Sequence, residues 1–306
     1  MADYLQIFVD GYRGYAGYLW HEMTHPQWRN YFYWLIGVSA IFFLLELATP
    51  WRKDQPKFRK DFWLDFFYMF FNFFLFSLIF YNAASDLAVN LFKDLLALFG
   101  IRNLAAVEID SWPVWAQLLT LFLARDFIHW NVHRLLHRVS FLWKFHQVHH
   151  SVEQMGFAAH LRFHWMENVV YRSIEYLPLA MIGFGIDDFF LVHILSLAVG
   201  HFNHSNFRLN LGPLKYIFNN PQMHIWHHSK HFPQDRRYGM NFGLTLSVWD
   251  YLFGTAYLPF DGRDIELGVP GLEDFPATFI EQNLYGFGLT KREKEGFAPR
   301  RKEPKA

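Results

Sequence analysis

Between Arg125 and His150 the chain reads RDFIHWNVHRLLHRVSFLWKFHQVHH, with six histidines at ordered intervals. His129, His133 and His137 recur every four residues, and His146, His149 and His150 sit at i, i+3 and i+4. On a helix those intervals stack side chains on one face, one turn apart. The tighter pattern returns at His224, His227 and His228, in PQMHIWHHSKH. The repetition lifts the signal above chance and calls for helices that carry rows of imidazole. Neutral imidazole is the commonest protein metal ligand and suits iron, copper, zinc and nickel. The ordered clusters supply His133, His137, His146, His149, His150, His224, His227 and His228, which are too many ligands for one ion and suit two. Spacing alone does not separate iron from zinc.

The rest of the chain is apolar. Hydrophobic residues make up 52% of it and charged residues 18%, and 36 of its 306 residues are Phe. That balance favours a lipid solvent over water. Tyr31 to Leu47 is apolar apart from Glu46, and Phe66 to Ser85 carries no charge over twenty residues, enough to cross a bilayer. Trp112–Ala124 is a third run. Two shorter runs, Tyr176–Ile186 and Phe189–Gly200, meet at Asp187-Asp188 as a helical hairpin. Between the second and third runs, 83–100 reads as an amphipathic interfacial helix.

The predicted fold is therefore all-α: a multi-span helical membrane protein with a histidine-rich helical cytoplasmic cap. Residues 1–30 form an N-terminal segment, 31–124 the transmembrane spans, 125–255 the histidine region and 256–306 a polar C-terminal tail. Trp51–Asp61 carries five bases against two acids, and Lys291–Ala306 seven against three. The positive-inside rule puts both, and the two histidine regions, on the cytoplasmic side of a multi-pass protein. Zero formal net charge gives no sign of a nucleic-acid partner, and the absence of cysteine excludes disulfides, thiolate zinc and iron–sulfur sites.

A different chemistry is suggested by His21-Glu-Met-Thr-His25, which matches the H-E-x-x-H pattern of zinc hydrolases, with Glu22 to activate water. Against it, His25 precedes Pro26, which disfavours helical geometry there, and no third ligand follows. In a chain with 17 histidines such a match arises easily by chance. A membrane zinc hydrolase on His21, Glu22 and His25 is one alternative. A non-enzymatic metal- or haem-binding membrane protein is the other, although haem would leave most of the histidines without work.

His133-Arg-x-x-His137, His146-x-x-His149-His150 and His224-x-x-His227-His228 resemble the three histidine boxes of the fatty acid hydroxylase / sterol desaturase superfamily. The likeness continues through Asn241-Phe-Gly and Leu246-Ser-Val-Trp-Asp250-Tyr-Leu-Phe-Gly-Thr255, and Asp126 falls where that family often has an acid. His204-Ser-Asn206 and Leu211-Gly-Pro213 resemble its alkylglycerol monooxygenase branch and bacterial relatives. The resemblance implies an integral membrane oxygenase with two non-haem iron ions and O₂ as co-substrate. It also implies a lipid or sterol-like substrate, hydroxylated or desaturated, and a separate electron-donor protein. It adds His204 to the eight box histidines as a ligand. Trp130-Asn131 departs from the Tyr-Trp common before the first box, and Trp165 stands where Pro is usual after His164. His129, His160, His164, His201 and His231 are left as outer ligands or partners of ligands. Asp126, Glu153, Glu167 and Glu175 are candidates to orient ligating imidazoles.

Overall fold

The structure, a computed structural model, describes residues 4–76, 90–91, 94–100, 109–182, 184 and 189–290. Within them the chain is helical, with no strand and three isolated bridges: Pro50 to Phe207, Phe218 to Leu246 and Ser229 to Leu267. Helix α1 (Tyr4–Thr24) leads into α2 (Tyr31–Ala48), which starts at Asn30. The Asn30 side chain accepts a hydrogen bond from the Tyr33 amide at 3.2 Å, satisfying a donor that the first turn leaves open. α2 is the one helix among the described residues long and apolar enough to cross a membrane. Ile41 and Leu44 stand 58% and 62% exposed on its outer side, while Leu35 and Val38 join a core with Phe62, Met69 and Phe157.

Helix α3 (Phe62–Phe70) continues into one π-helical stretch, Phe71–Leu75, and so accounts for the described part of the Phe66–Ser85 run. The remainder of that run lies outside the described residues, as do the hairpin tip at Asp187-Asp188 and the basic stretch Lys291–Ala306. Of the expected interfacial helix at 83–100, residues 90–91 and 94–98 are helical and the other positions before 99 lie outside the description. The π-helical stretch turns Asn72 into the interior, where its amide donates to the carbonyls of Leu161 and Phe163 at 3.0 and 2.8 Å.

The third apolar run is not a separate element. It forms the first half of α4 (Val114–Arg138), which runs unbroken through His129, His133 and His137. A single residue, Val139, separates α4 from α5 (Ser140–His150), so the first two boxes face each other across a tight corner. Helices α6 (Trp165–Ile182) and α7 (Phe189–His204) follow, then α8 (Pro221–His227), a short helix with Pro221 in its first turn and Asn220 accepting from the Met223 amide at 3.2 Å. α9 (Val248–Leu252) and α10 (Phe279–Tyr285) complete the set. Residues 256–290 fold back on the body. The amide of Gly268 donates to the carbonyl of His228, and the Tyr285 hydroxyl donates to Gln147.

Glu46, the one charge in the α2 run, has a specific task. One of its carboxylate oxygens accepts from the backbone amides of Phe157 and Asn206, at 2.8 and 2.7 Å. It thereby ties the segment after the second box and the segment after His204 to the same helix. Glu46→Leu strands two interior amides and is expected to cost about 2–4 kcal/mol. Glu46→Gln keeps an accepting oxygen and should cost less than half as much. Thermal unfolding of the detergent-solubilised variants checks both.

Candidate metal centre

Nine histidines from α4, α5, α7 and α8 meet in two adjoining groups. His133, His137, His146, His150 and His227 form one, and His149, His204, His224 and His228 the other; within each, one ring nitrogen per residue lies within 4.8 Å of the others, where it could ligate a metal. All nine are buried. The groups adjoin where the rings of His150 and His228 stack, 4.5 Å between centroids. These are the nine residues singled out from the sequence, and the structure gathers all of them. The His21 region behaves otherwise. The rings of His21 and His25 stack face to face at 4.3 Å, His25 is exposed and Glu22 is buried. The three do not form a ligand group among the described residues, since the end of α1 puts the carboxylate on its inner side and the imidazoles outside.

The outward nitrogens of the rings fix which proton each imidazole carries. His133 Nδ1 donates to the carbonyl of Phe242 at 2.8 Å, His149 Nδ1 to Arg162 at 3.1 Å, His204 Nδ1 to Gly200 at 2.7 Å and His227 Nδ1 to Met240 at 2.8 Å. His146 Nδ1 lies 2.7 Å from a carboxylate oxygen of Glu167. A carbonyl can only accept, so Nδ1 holds the hydrogen and the Nε2 lone pair turns inward.

The inward nitrogens then oppose one another. Nε2 of His133 and His146 are 3.2 Å apart, those of His149 and His204 3.3 Å, those of His204 and His224 2.9 Å, and those of His224 and His228 3.1 Å. Where both rings carry their hydrogen on Nδ1, as in the first two pairs, two lone pairs face each other. That arrangement repels in a neutral pair and attracts once a cation sits between. Tetrahedral metal–nitrogen bonds of about 2.0–2.1 Å would put neighbouring nitrogens roughly 3.3 Å apart, close to what these pairs show. Further buried nitrogens lack any hydrogen-bond partner: Nε2 of His137 and His227, Nδ1 of His224 and His228, and both of His150. An all-imidazole donor set of this kind fits iron, copper, zinc or nickel.

Burial first, and neighbouring histidines second, hold His133, His137, His149, His150, His224 and His228 well below the ordinary imidazole value. Burial first takes His204 and His227 from 6.5 to about 3, against the opposing pull of their carbonyl partners and with smaller help from Arg59 for His204 and from His146 and His204 for His227. The rings are thus neutral at neutral pH, the protonation state in which imidazole ligates.

A turn at 239–243 supplies two of the orienting carbonyls; Asp250 and Asn241 hold it, and Asp126 holds the backbone just after it. Asp250 accepts from the amides of Phe242 and Gly243 at 2.9 and 2.8 Å, from Trp130 Nε1 at 3.0 Å and from the Thr255 hydroxyl at 2.6 Å. Asp126 accepts from the amides of Thr245 and Leu246 and from Trp249 Nε1. Asn241 takes a positive φ of 54° and bonds the backbone of Met223 and Tyr257. A side chain on Gly243 would meet the Leu246 carbonyl at 2.4 Å, so the turn admits only glycine there. The Asn-Phe-Gly and Trp-Asp motifs act through this scaffold.

Of the four acids named as candidates to orient imidazoles, Glu167 contacts a gathered histidine. Glu175 instead receives His129 Nδ1 at 2.8 Å, Asp126 serves the 245–246 backbone, and Glu153 pairs with Lys60 at the surface. His160 and His201 bond each other at 3.0 Å beside His204, His164 faces the Asn283 carbonyl, and His231 is exposed near Glu266.

A cavity of about 400 Å³ reaches the groups, with His133, His146, His149, His204 and His224 in its wall. Tyr15, Tyr18 and Tyr31 line it elsewhere, along with Arg125 and Glu175. Burial would raise the Glu175 carboxyl, but Arg125 and His129 outweigh it and hold Glu175 below the usual carboxylate range.

Residues 118–255 match the sequence model of a family described as fatty acid hydroxylase. Ornithine lipid hydroxylase OlsE of Rhizobium tropici is 31% identical over 162 residues, covering 53% of this chain and 48% of its own length. Alkylglycerol monooxygenase of Homo sapiens is 36% identical over 150 residues, 48% of this chain and 31% of that protein. Very-long-chain aldehyde decarbonylase GL1-10 of Oryza sativa subsp. japonica is 32% identical over 143 residues, 46% of each. The chain thus spans half or less of these curated relatives. No solved structure matches it.

Two outcomes follow from the orienting contacts and the depressed imidazoles. Glu167→Ala or Asp250→Ala should weaken metal affinity about 10–100-fold without removing a ligand, as read by competitive metal titration. The folded chain binds protons less readily than the unfolded chain, in which imidazole titrates near 6.5. Metal-free protein should therefore hold its stability above that pH and lose it progressively as pH falls toward 3, which thermal melts across the range would read.

Proposed function

We propose that this chain, whose residues 118–255 form a fatty acid hydroxylase domain, is a membrane-bound oxygenase that hydroxylates a lipid with O₂ at a pair of iron ions. The observation that carries the reading is the double imidazole group with its lone pairs turned together at the wall of a cavity. The five-member group would hold one ion and the four-member group the other, with Glu167 and the carbonyls of Phe242, Met240, Arg162 and Gly200 fixing the rings. When bound, the iron pair supplies the activation of dioxygen needed to replace an unactivated C–H bond by C–OH; two electrons and two protons complete the balance, with water as the second product. The chain's own residues hold the imidazoles deprotonated, wall off solvent and position the substrate.

Hydroxylation is preferred to desaturation because the relatives include proteins named ornithine lipid hydroxylase and alkylglycerol monooxygenase. The outward apolar side of α2 supports a membrane setting, since a contiguous exposed apolar face needs an apolar neighbour. The net-positive Trp51–Asp61 segment supports a cytoplasmic position for the site and a multi-pass path. Electrons would come from a separate protein, as no cysteine is present to hold an iron–sulfur cluster in this chain.

Metal analysis and lipidomics test the proposal together. Purified protein should hold about two irons, His149→Ala should lose metal and activity, and Glu22→Ala should lose neither. Cells expressing the wild type should gain a lipid heavier by one oxygen that cells expressing His149→Ala lack. Zinc bound in place of iron and lost with His21→Ala, or full activity in His149→Ala, would sink the reading.

A further inference from the structure

Arg134, Arg138 and Arg237 form a basic cluster without an ion pair among the described residues. Arg134 and Arg138 lie one turn apart on one face of α4; Asp250, which the 239–243 turn engages, acts on Arg134 without forming an ion pair with it. Arg138 and Arg237 both lie over the ring of Tyr238, at 5.8 and 4.6 Å from its centroid, and Arg134 lies over Trp130 at 4.3 Å. No carboxylate pairs with any of the three among the described residues; Arg236 beside them has Asp235 at 3.4 Å. Tyr238 is 41% exposed, with Leu252 and Phe253 also exposed nearby, Phe253 packed on Trp130. Like charges gathered with no carboxylate in ion-pair contact cost stability, which makes an anionic partner the physical reason to keep them.

The cluster also lies against the metal groups. Arg138 follows His137 directly, and Gly239, next to Tyr238, packs so closely on His137 that a Cβ there would stand 3.0 Å from its Nδ1. The Tyr238 backbone adjoins the same ring. From the Tyr238 surface the path to a ligating imidazole is thus a single backbone contact. His137 is absent from the wall of the substrate cavity, so this face and the cavity reach the groups from different sides.

We propose that Arg134, Arg138 and Arg237 around Tyr238 form the docking face for an acidic one-electron carrier protein that reduces the metal pair through His137. The proposal rests on the oxygenase reading above. Two carriers, each oxidised by one electron, would supply the two electrons of one turnover. An anionic bilayer surface is the competing partner for such a cluster. The contact with His137 decides between them: a redox partner uses a one-contact path to the histidine groups, whereas a lipid headgroup has no use for it.

The probe is an acidic plant-type [2Fe–2S] ferredoxin, offered to the full chain in phosphatidylcholine nanodiscs. Its Kd should rise about tenfold in Arg138→Glu and in Arg237→Glu at equal metal content, with a weaker salt dependence, and stay unchanged in Lys57→Glu. Reoxidation of the pre-reduced ferredoxin by iron-loaded protein should slow in parallel, while reduction by dithionite should not. Unchanged ferredoxin affinity in both arginine variants would overturn the docking face, as would failure of the wild type to bind ferredoxin. Loss of binding to phosphatidylserine vesicles in these variants, with ferredoxin affinity intact, would assign the cluster to the membrane instead. Protein that binds no iron but still binds ferredoxin through these arginines would overturn the oxygenase reading and leave the docking face standing.

Discussion

Opposed imidazole lone pairs are the constraint on which the rest of this molecule depends. Neutral rings with both hydrogens on Nδ1, as in His133 with His146 and His149 with His204 at 3.2 and 3.3 Å, gain nothing from one another, and their burial removes the water that would otherwise bind them. Such a cluster is held open against its own repulsion by contacts on its outer side. The carbonyls of Phe242, Met240, Arg162 and Gly200, with the Glu167 carboxylate, each grip an outward Nδ1. A cation is the species that turns the inner side from cost to gain.

Those outer contacts come from irregular backbone, and irregular backbone must itself be held. The 239–243 turn hangs on Asp250 and Asn241. The Arg162 carbonyl belongs to a residue whose guanidinium bonds Asp61, Asp65 and Ser151 in the interior. Glu46 fastens the segments at Phe157 and Asn206 from the helix beside them. Glu46, Asp126 and Asp250 thus each terminate a set of donors, and the Arg162 guanidinium supplies a set of acceptors. Removing one partner strands the others, which is why isolated polar residues inside apolar runs are the positions to examine.

The histidine boxes were legible because their spacing is a property of one helix at a time: intervals of three and four put His133 and His137, or His224, His227 and His228, on a single face. His204 lies outside any box, and family likeness alone pointed to it. The orienting carbonyls were not legible, because a backbone oxygen has no sequence signature and its partner lies far along the chain, as with Phe242 and His133. Of the acids, Glu167 and Glu175 are indistinguishable by type and neighbourhood. Only the rotation of α6 sends one to His146 and the other to His129. The extent of the apolar runs was plain, but Trp112–Ala124 could not be told from a separate span until α4 continued through it into the first box. His21-Glu-Met-Thr-His25 shows the converse: a motif correct in letters whose two imidazoles stack on each other at the surface while its carboxylate is buried on the other side of α1.

The two approaches to the histidine groups bear on the order of events. The cavity wall includes members of both groups but not His137, while the turn carrying Tyr238 packs on His137. A reductant seated at that surface and a lipid seated in the cavity would not compete for space. Both can be present in one ternary complex, so the kinetics would follow a sequential rather than a ping-pong scheme, and reducing power could be withheld until the lipid has arrived.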